Sequence, residues 1–302
     1  MSYQAGYAAL IGRPNVGKST LLNHLLGQKV AIISDKPQTT RISILGIKTS
    51  QKGQIIFIDN PGIHKPLHRL NRRMMNFVYS ALETADLLCL MIDATQKFGH
   101  GDEFVIETLK KVNTPVFLLI NKIDLIRKEK VLPLIDHYKD LLPFKQIIPV
   151  SALKGTNLDV LEEHIYHQLP EAEKIYSDAE ISTQSRRFQL SEIIREKVLN
   201  HVKQELPYVT AVIINRMEER EPSAGEEEKN PVRYIRASII VEREGHKKII
   251  LGRQGRMIKM IGSEARREIE KIFDTRIYLD LQVQVRSKWR DSADVLDLIE
   301  QQ

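Results

Sequence analysis

At 302 residues, 42% of them apolar, the chain is long enough for about two domains, each with its own buried core. A single cysteine excludes an internal disulfide framework, and no apolar run approaches the ~20 residues a membrane span needs. The net charge of +6 is uneven: Arg243 to Arg290 holds thirteen Lys/Arg against six Asp/Glu, a local +7 that leaves −1 for the rest, so a polyanion partner or a merely solubilising basic face is expected there.

The N-terminal residues Met1-Ser2-Tyr3-Gln4 show no basic stretch followed by an apolar one, so no export signal and a cytoplasmic setting are expected. Over the first 170 residues, short β-branched runs alternate with amphipathic stretches. Strands are expected at Ala8–Ile11, Ser43–Thr49, Ile55–Asp59, Leu87–Asp93, Val116–Asn121 and Gln146–Val150. Helices such as Ser19–Leu26, Leu70–Glu83 and Leu158–Leu169 lie between them. This alternation predicts an α/β domain with a mostly parallel sheet. The turn Lys48–Gln54 predicts one antiparallel hairpin at an edge. Cys89, inside an apolar run, reads as a buried strand residue.

Chemistry concentrates at the strand ends. Gly12-Arg13-Pro14-Asn15-Val16-Gly17-Lys18-Ser19 fits G-x-x-x-x-G-K-S between a strand and a helix, with Thr20 following on the helix. Such a loop turns backbone N–H groups onto a phosphate, and the helix N-terminus adds positive potential. Lys18 is expected to reach the β- and γ-phosphates, and Ser19 to ligate Mg²⁺. Asp59-Asn60-Pro61-Gly62 ends the third strand, placing a carboxylate for Mg²⁺ and the Gly62 N–H for the γ-phosphate. Asn121-Lys122-Ile123-Asp124 ends the fifth, and Ser151-Ala152-Leu153 follows the last. Ligands of open α/β sheets bind outside these carboxyl ends. Asp124 can accept from N1–H and the exocyclic amine of guanine, which adenine lacks; the Lys122 stem can cover a base face, and the Ala152 N–H can point at guanine O6.

Around Pro170–Ser185 the pattern fades into polar residues, which reads as a linker. The order that follows is helix (Ser191–Glu205), strand (Val209–Arg216), strand (Arg233–Glu242), helix (from about Lys247), helix (Ser263–Phe273), strand (Arg276–Arg286). Ile193, Ile194, Val198, Leu199 and Val202 share one helix face and should be core. The acidic stretch Glu218–Lys229 reads as an exposed loop. In Ile249-Ile250-Leu251-Gly252-Arg253-Gln254-Gly255-Arg256-Met257-Ile258, two glycines bracket a basic turn. On its own a G-x-x-G is weak evidence. The apolar flank, the basic surround and the element order make it similar to a KH core of the prokaryotic, type II kind, whose turn clamps single-stranded nucleotides. Gly252, Arg253, Gln254, Gly255, Arg256 and Lys259 are the expected RNA contacts.

With these motifs in place, the first domain resembles a Ras-like GTPase of the translation-factor class. Pro37-Gln38-Thr39-Thr40-Arg41 resembles switch I of the bacterial Era GTPases, and Val283-Gln284-Val285-Arg286-Ser287-Lys288-Trp289-Arg290 resembles the end of Era proteins. The resemblance implies a GTPase domain over 1–172, a linker over 173–186 and a KH domain with tail over 187–302. It implies GTP hydrolysis to GDP with Mg²⁺ held by Ser19, Asp59 and a switch threonine, Thr40 or alternatively Thr39. Lys18, Thr40, Asp59, Gly62 and Asn15 form the expected catalytic set. Ile63 stands where Ras-like enzymes carry a water-orienting glutamine, so slow intrinsic hydrolysis is expected. Asn15 either helps bind K⁺, as in related GTPases, or only shapes its loop. Trp289 either packs the tail or stacks on a base. The implied partners are the 3′ end of 16S rRNA and the 30S subunit in its assembly, with peripheral association at the inner face of the plasma membrane; the chain is expected to act as a monomer. The rivals are a tRNA-modification GTPase, a GTPase on anionic lipid, and an RNA adaptor that binds GTP without turnover.

Overall fold

The computed structural model describes residues 2–220 and 232–302. They form two compact units, one comprising Met1–Leu67 and Asn71–Thr183, the other His68–Leu70 and Gln184–Gln302. Among the described residues no helix is long and apolar enough to cross a membrane.

The first unit is built on six strands: β1 (Gln4–Gly12), β2 (Ile44–Thr49), β3 (Gly53–Asp59), β4 (Leu87–Asp93), β5 (Val116–Asn121) and β6 (Gln146–Pro149). They lie in the order β2-β3-β1-β4-β5-β6. All neighbours are parallel except β2 and β3, the expected edge hairpin. The central strands are apolar on both faces because helices cover both. Ile55, Ile56 and Phe57 of β3 and Leu87, Leu88 and Cys89 of β4 are wholly buried, each large side chain contributing about 1.5–3 kcal/mol by leaving water. Burial without a charged neighbour pushes the Cys89 thiol up to about 12, so it is inert. The helices are α1 (Lys18–Leu26), α2 (Arg69–Thr84), α3 (His100–Leu109), α4 (Val131–Tyr138) and α5 (Leu158–Gln168).

Residues after α5 do not hang free, although their composition reads as a linker. The Ala5 and Ala172 N–H groups bond to Pro170 O (3.1 Å) and Tyr3 O (3.2 Å). The wholly buried Gln54 accepts from Ile175 N (2.9 Å) and Tyr176 N (2.8 Å), and donates to Tyr176 O (2.9 Å). Ile47 N donates to Ile181 O at 2.8 Å. The strap thereby covers the open edge of β2, whose unpaired backbone groups would otherwise template foreign strands.

The second unit runs α6 (Arg186–His201), β7 (Ala211–Arg220), β8 (Val232–Val241), α7 (Glu244–Leu251), α8 (Arg256–Phe273), β9 (Ile277–Val285) and α9 (Ala293–Glu300). Up to β9 this is the expected order. The sheet is β7-β8-β9, with β8 antiparallel to β7 and parallel to β9. Alternate residues Ile235, Ala237, Ile239 and Val241 of β8 meet Ile193, Ile194, Val198 and Val202 in the core. α6 starts five residues earlier than expected because the Ser185 hydroxyl caps it, accepting from Phe188 N at 3.1 Å. β7 reaches Arg220, and the rest of the stretch expected as an acidic loop lies outside the described residues.

Trp289 packs. Its side chain is wholly buried, and its indole N–H donates to Val209 O at 2.9 Å. The neighbouring Arg290 makes a two-pronged bond to Glu242 at 2.9 and 3.1 Å. The stacking alternative is thereby removed, because a ring with no exposed surface cannot meet a base. Trp289→Ala should lower unfolding free energy by about 3–5 kcal/mol, read by circular dichroism in denaturant; a loss below about 1 kcal/mol would contradict the packing.

Candidate functional site

The phosphate loop links β1 to α1, and side chains from other strand ends hold it. Gly17 adopts φ +105°, and a Cβ there would lie 2.3 Å from Asn121 Nδ2, so only glycine fits. That Asn121 amide donates to Val16 O at 2.7 Å. Lys122 donates to Asn15 O at 2.9 Å and to Asp93 Oδ2 at 2.5 Å. Arg13 donates to Asp102 Oδ2 at 2.9 Å. Asn15 sits at φ +64°, which asparagine tolerates, and its side-chain amide donates to Asp35 O at 2.6 Å.

Lys18, Ser19, Thr40 and Asp59 converge. The Lys18 ammonium donates to Arg13 O (3.0 Å) and, at 3.4 Å, to Gly12 O. Ser19 Oγ donates to Asp59 Oδ2 at 2.5 Å and lies 3.0 Å from Thr40 Oγ1. Thr39 turns the other way, its hydroxyl donating to Lys36 O at 2.6 Å. Asp59 is wholly buried, and its Oδ1 has no hydrogen-bond partner. Burial lowers Lys18 from 10.5 to about 8, with the Asp59 charge opposing the shift. Burial raises Asp59 from 3.8 to about 6 against the pull of Lys18 and the Ser19 and Thr40 hydroxyls. A buried cation and a buried carboxylate with an unused oxygen suit an anion and a hard cation together. Two hydroxyls and a carboxylate are an oxygen set fit for Mg²⁺.

A cavity of about 380 Å³ opens here, lined by Pro14, Asn15, Gly17–Thr20, Gln38–Thr40, Gly62 and Lys122. Its further wall, Ile32–Asp35, was not legible as a site. The signal was Asn23, whose carboxamide pins the preceding loop by accepting from Val30 N and Ala31 N (both 2.9 Å) and donating to Ala31 O (2.7 Å). Ile63 is 2% exposed and packs into the sheet's core, so it presents nothing to the cavity.

Beyond the cavity, Asp124 stands on an exposed single turn, Ile123–Leu125. Ser151 Oγ donates to its Oδ1 at 2.6 Å and fixes its orientation. The Ala152 N–H departs from expectation. It donates to Asn121 Oδ1 at 2.9 Å instead of facing a ligand, because that buried carboxamide oxygen needs a donor. Leu153 is 68% exposed beside it. The Lys122 ammonium is drawn back to Asp93, which leaves only its stem for covering a base.

In the second unit, the turn Gly252–Gly255 joins α7 to α8. Gly252, Gln254 and Gly255 all have positive φ, at +70°, +53° and +72°. The two glycines answer different demands. A Cβ on Gly252 would lie 2.7 Å from Met257 Cβ, whereas around Gly255 nothing lies within 4 Å. Arg253, Gln254, Arg256 and Lys259 are all exposed around the turn, and the apolar Ile249 and Met260 flank it, 50% and 41% exposed.

Fold and geometry thus define a P-loop GTPase carrying a type II KH domain. Family models agree: residues 7–122 match a 50S ribosome-binding GTPase and residues 205–290 a KH domain. GTPase Era from Halothermothrix orenii is 47% identical over 296 residues, covering 98% of each chain. The crystal structure of Era in complex with MgGDPNP and nucleotides 1506–1542 of 16S ribosomal RNA superposes with a TM-score of 0.92 at 42% identity, over 98% of both chains. An Aquifex aeolicus Era variant bound to GDP and aluminium fluoride superposes at 0.91, with 41% identity over 98% of both chains. The chain belongs to the Era family of GTPases.

The Lys18 and Asp59 shifts set a pH window for nucleotide binding. Above about pH 8 the free protein holds Lys18 neutral, so binding a polyphosphate must take up a proton. Below about pH 6 Asp59 is protonated, so binding a metal must release one. Affinity for Mg²⁺–GDP should therefore plateau between these values and fall by up to about tenfold per unit outside them. Calorimetry from pH 5 to 9.5 checks this; a flat alkaline limb would refute it.

Proposed function

We propose that this GTPase is a switch that reads its nucleotide state at Thr40 and binds single-stranded RNA at the Gly252–Gly255 turn. The observation that carries the nucleotide half is the buried Asp59, bonded to Ser19 beside Thr40, with one oxygen unused and its charge felt by the buried Lys18. Gly12–Thr20 cradle the phosphates of GTP, with Lys18 against the β- and γ-oxygens. Ser19, Thr40 and Asp59 hold Mg²⁺, which neutralises charge on those oxygens. The Gly62 N–H meets the γ-phosphate. Asp124, oriented by Ser151, selects guanine, with Asn121 and Ala152 bracing the loop beneath the base. Loss of the γ-phosphate releases Thr40, as in other order–disorder switches.

Thr40 is favoured over Thr39 because its hydroxyl lies 3.0 Å from Ser19 Oγ, while the Thr39 hydroxyl donates to Lys36 O. Asn15 serves the loop's conformation and also keeps the Asp35 carbonyl at the cavity's rim. A K⁺ ion held there would add positive charge where the transition state gathers negative charge. With Ile63 in the core, intrinsic hydrolysis is slow. GTP turnover should be several-fold faster in KCl than in NaCl at equal ionic strength; equal rates would leave Asn15 its conformational role alone.

The RNA half, residues 187–302, binds the 3′ end of 16S rRNA, so the chain acts in 30S subunit assembly from the cytoplasm as a monomer. The full-length similarity to an Era captured on that RNA supports this reading. The first domain, 1–172, reaches the second through the strap along β2, the strand that follows switch I. The basic stretch from Arg243 to Arg290 in the second domain also favours peripheral attachment to the inner face of the plasma membrane. The open space around Gly255 separates the two partners. Gly255→Asp should weaken a 16S 3′-end oligonucleotide about tenfold or more, measured by fluorescence anisotropy, while pelleting with anionic vesicles is little changed. RNA affinity that survives the substitution would mean attraction by charge alone.

A further inference from the structure

The side chain of Ile63 is in the core, so the polar group that aims the attacking water has to come from elsewhere. We propose that Gln38 supplies it, with Asn71 and His64 as the positioning residues that aim its carboxamide. This rests on the reading of the cavity as the GTP site. Gln38 lines that cavity together with Lys18, Thr40 and Gly62. Its Oε1 accepts from Asn71 Nδ2 at 3.3 Å. Asn71 is 5% exposed on α2, and the same Nδ2 lies 2.8 Å from His64 Nε2. His64 Nδ1 lies 2.7 Å from Gly62 O.

The donor roles in this chain follow from one group. A carbonyl oxygen only accepts, so His64 Nδ1 carries the proton toward Gly62, and Nε2 accepts from Asn71. The two Asn71 N–H groups are then directed to His64 and to Gln38. A carboxamide oxygen has two lone pairs. Asn71 occupies one on Gln38, which aims and polarises the carbonyl. The other is left to accept from a water over the γ-phosphate, and the Gln38 N–H₂ can donate to a γ-oxygen. Gln38 also holds φ +61°, an uncommon conformation for its type that persists where the surroundings impose it. The chain Gly62–His64–Asn71–Gln38 therefore joins both segments that sense the γ-phosphate.

In the step itself the water oxygen bonds to the γ-phosphorus as the bond to the β–γ bridging oxygen breaks. The electron pair stays on GDP, and the proton leaving water ends on the released phosphate. Gln38 touches that water and is the catalytic residue; Asn71 and His64 act through it.

Single-turnover hydrolysis of Mg²⁺–GTP and calorimetry of Mg²⁺–GDP, on the full chain, test this. Gln38→Ala should slow hydrolysis about tenfold or more, with GDP affinity within about twofold of the parent and loss of the extra affinity that aluminium fluoride confers on GDP. Asn71→Leu should slow hydrolysis less, and should add nothing in the Gln38→Ala background, because it acts only through Gln38. Gln38→Ala alone decides the matter if the buried Asn71 variant does not fold. Parent-like hydrolysis in Gln38→Ala overturns the proposal, as does a parallel loss of GDP affinity, which would make the residue structural. A parent chain that binds no Mg²⁺–GDP would instead remove the underlying reading of the cavity.

Discussion

The first unit depends on keeping five loop residues in a shape their own sequence does not stabilise. Residues 13–17 contain a left-handed asparagine and a glycine at φ +105°, and such a loop has no regular ladder to satisfy its backbone. Side chains take up its carbonyls: Asn121 and Lys122, at the distant end of β5, those of Val16 and Asn15, and Lys18, the next residue in the chain, those of Arg13 and the preceding Gly12. With the carbonyls engaged outward, the N–H groups are left to turn toward a phosphate. Asn121 and Lys122, from the segment that also carries Asp124, therefore shape the phosphate loop, so a substitution at either disturbs the cradle.

The cradle holds charge that the protein itself compensates only in part. Lys18 and Asp59 are buried, and burial drives each toward its neutral form. A polyphosphate with a divalent cation relieves both at once. This is how a binding site retains free energy for a ligand instead of spending it within the fold. The second unit solves a different problem. Its turn must let a chain approach closely, so it uses left-handed backbone at Gly252 and Gly255, with the basic side chains kept outside the packed core.

Some of this was legible because the signals are local. Parallel strands buried on both faces appear as unbroken apolar runs, and the strands came out within a few residues of the expected limits except for β1, which begins four residues earlier, and β7, which ends four residues later. The nucleotide motifs stood at their ends because a short, strand-terminal segment carries its own chemistry. The wall Ile32–Asp35 was not visible, since a loop held by one asparagine has no periodicity. The strap after α5 was misleading for the opposite reason. Its residues are polar as in a linker, yet a single buried glutamine from β3 collects their backbone groups. Nor could the engagement of Ala152 by Asn121 be read from either motif alone.

The order of residues by itself determined the two kinds of domain, the phosphate loop, the carboxylate after the fifth strand and the glycine turn, because each is a short pattern whose chemistry depends on near neighbours in the chain. Only the tertiary structure brought the Thr40 hydroxyl against Ser19, buried Trp289 beneath its domain, sent Ile63 into the core and brought Gln38 within reach of Asn71. Those outcomes turn on which side chains from remote segments arrive at the same few ångströms. Distance in space is set by the packing of the whole sheet and its helices, and no local pattern encodes it.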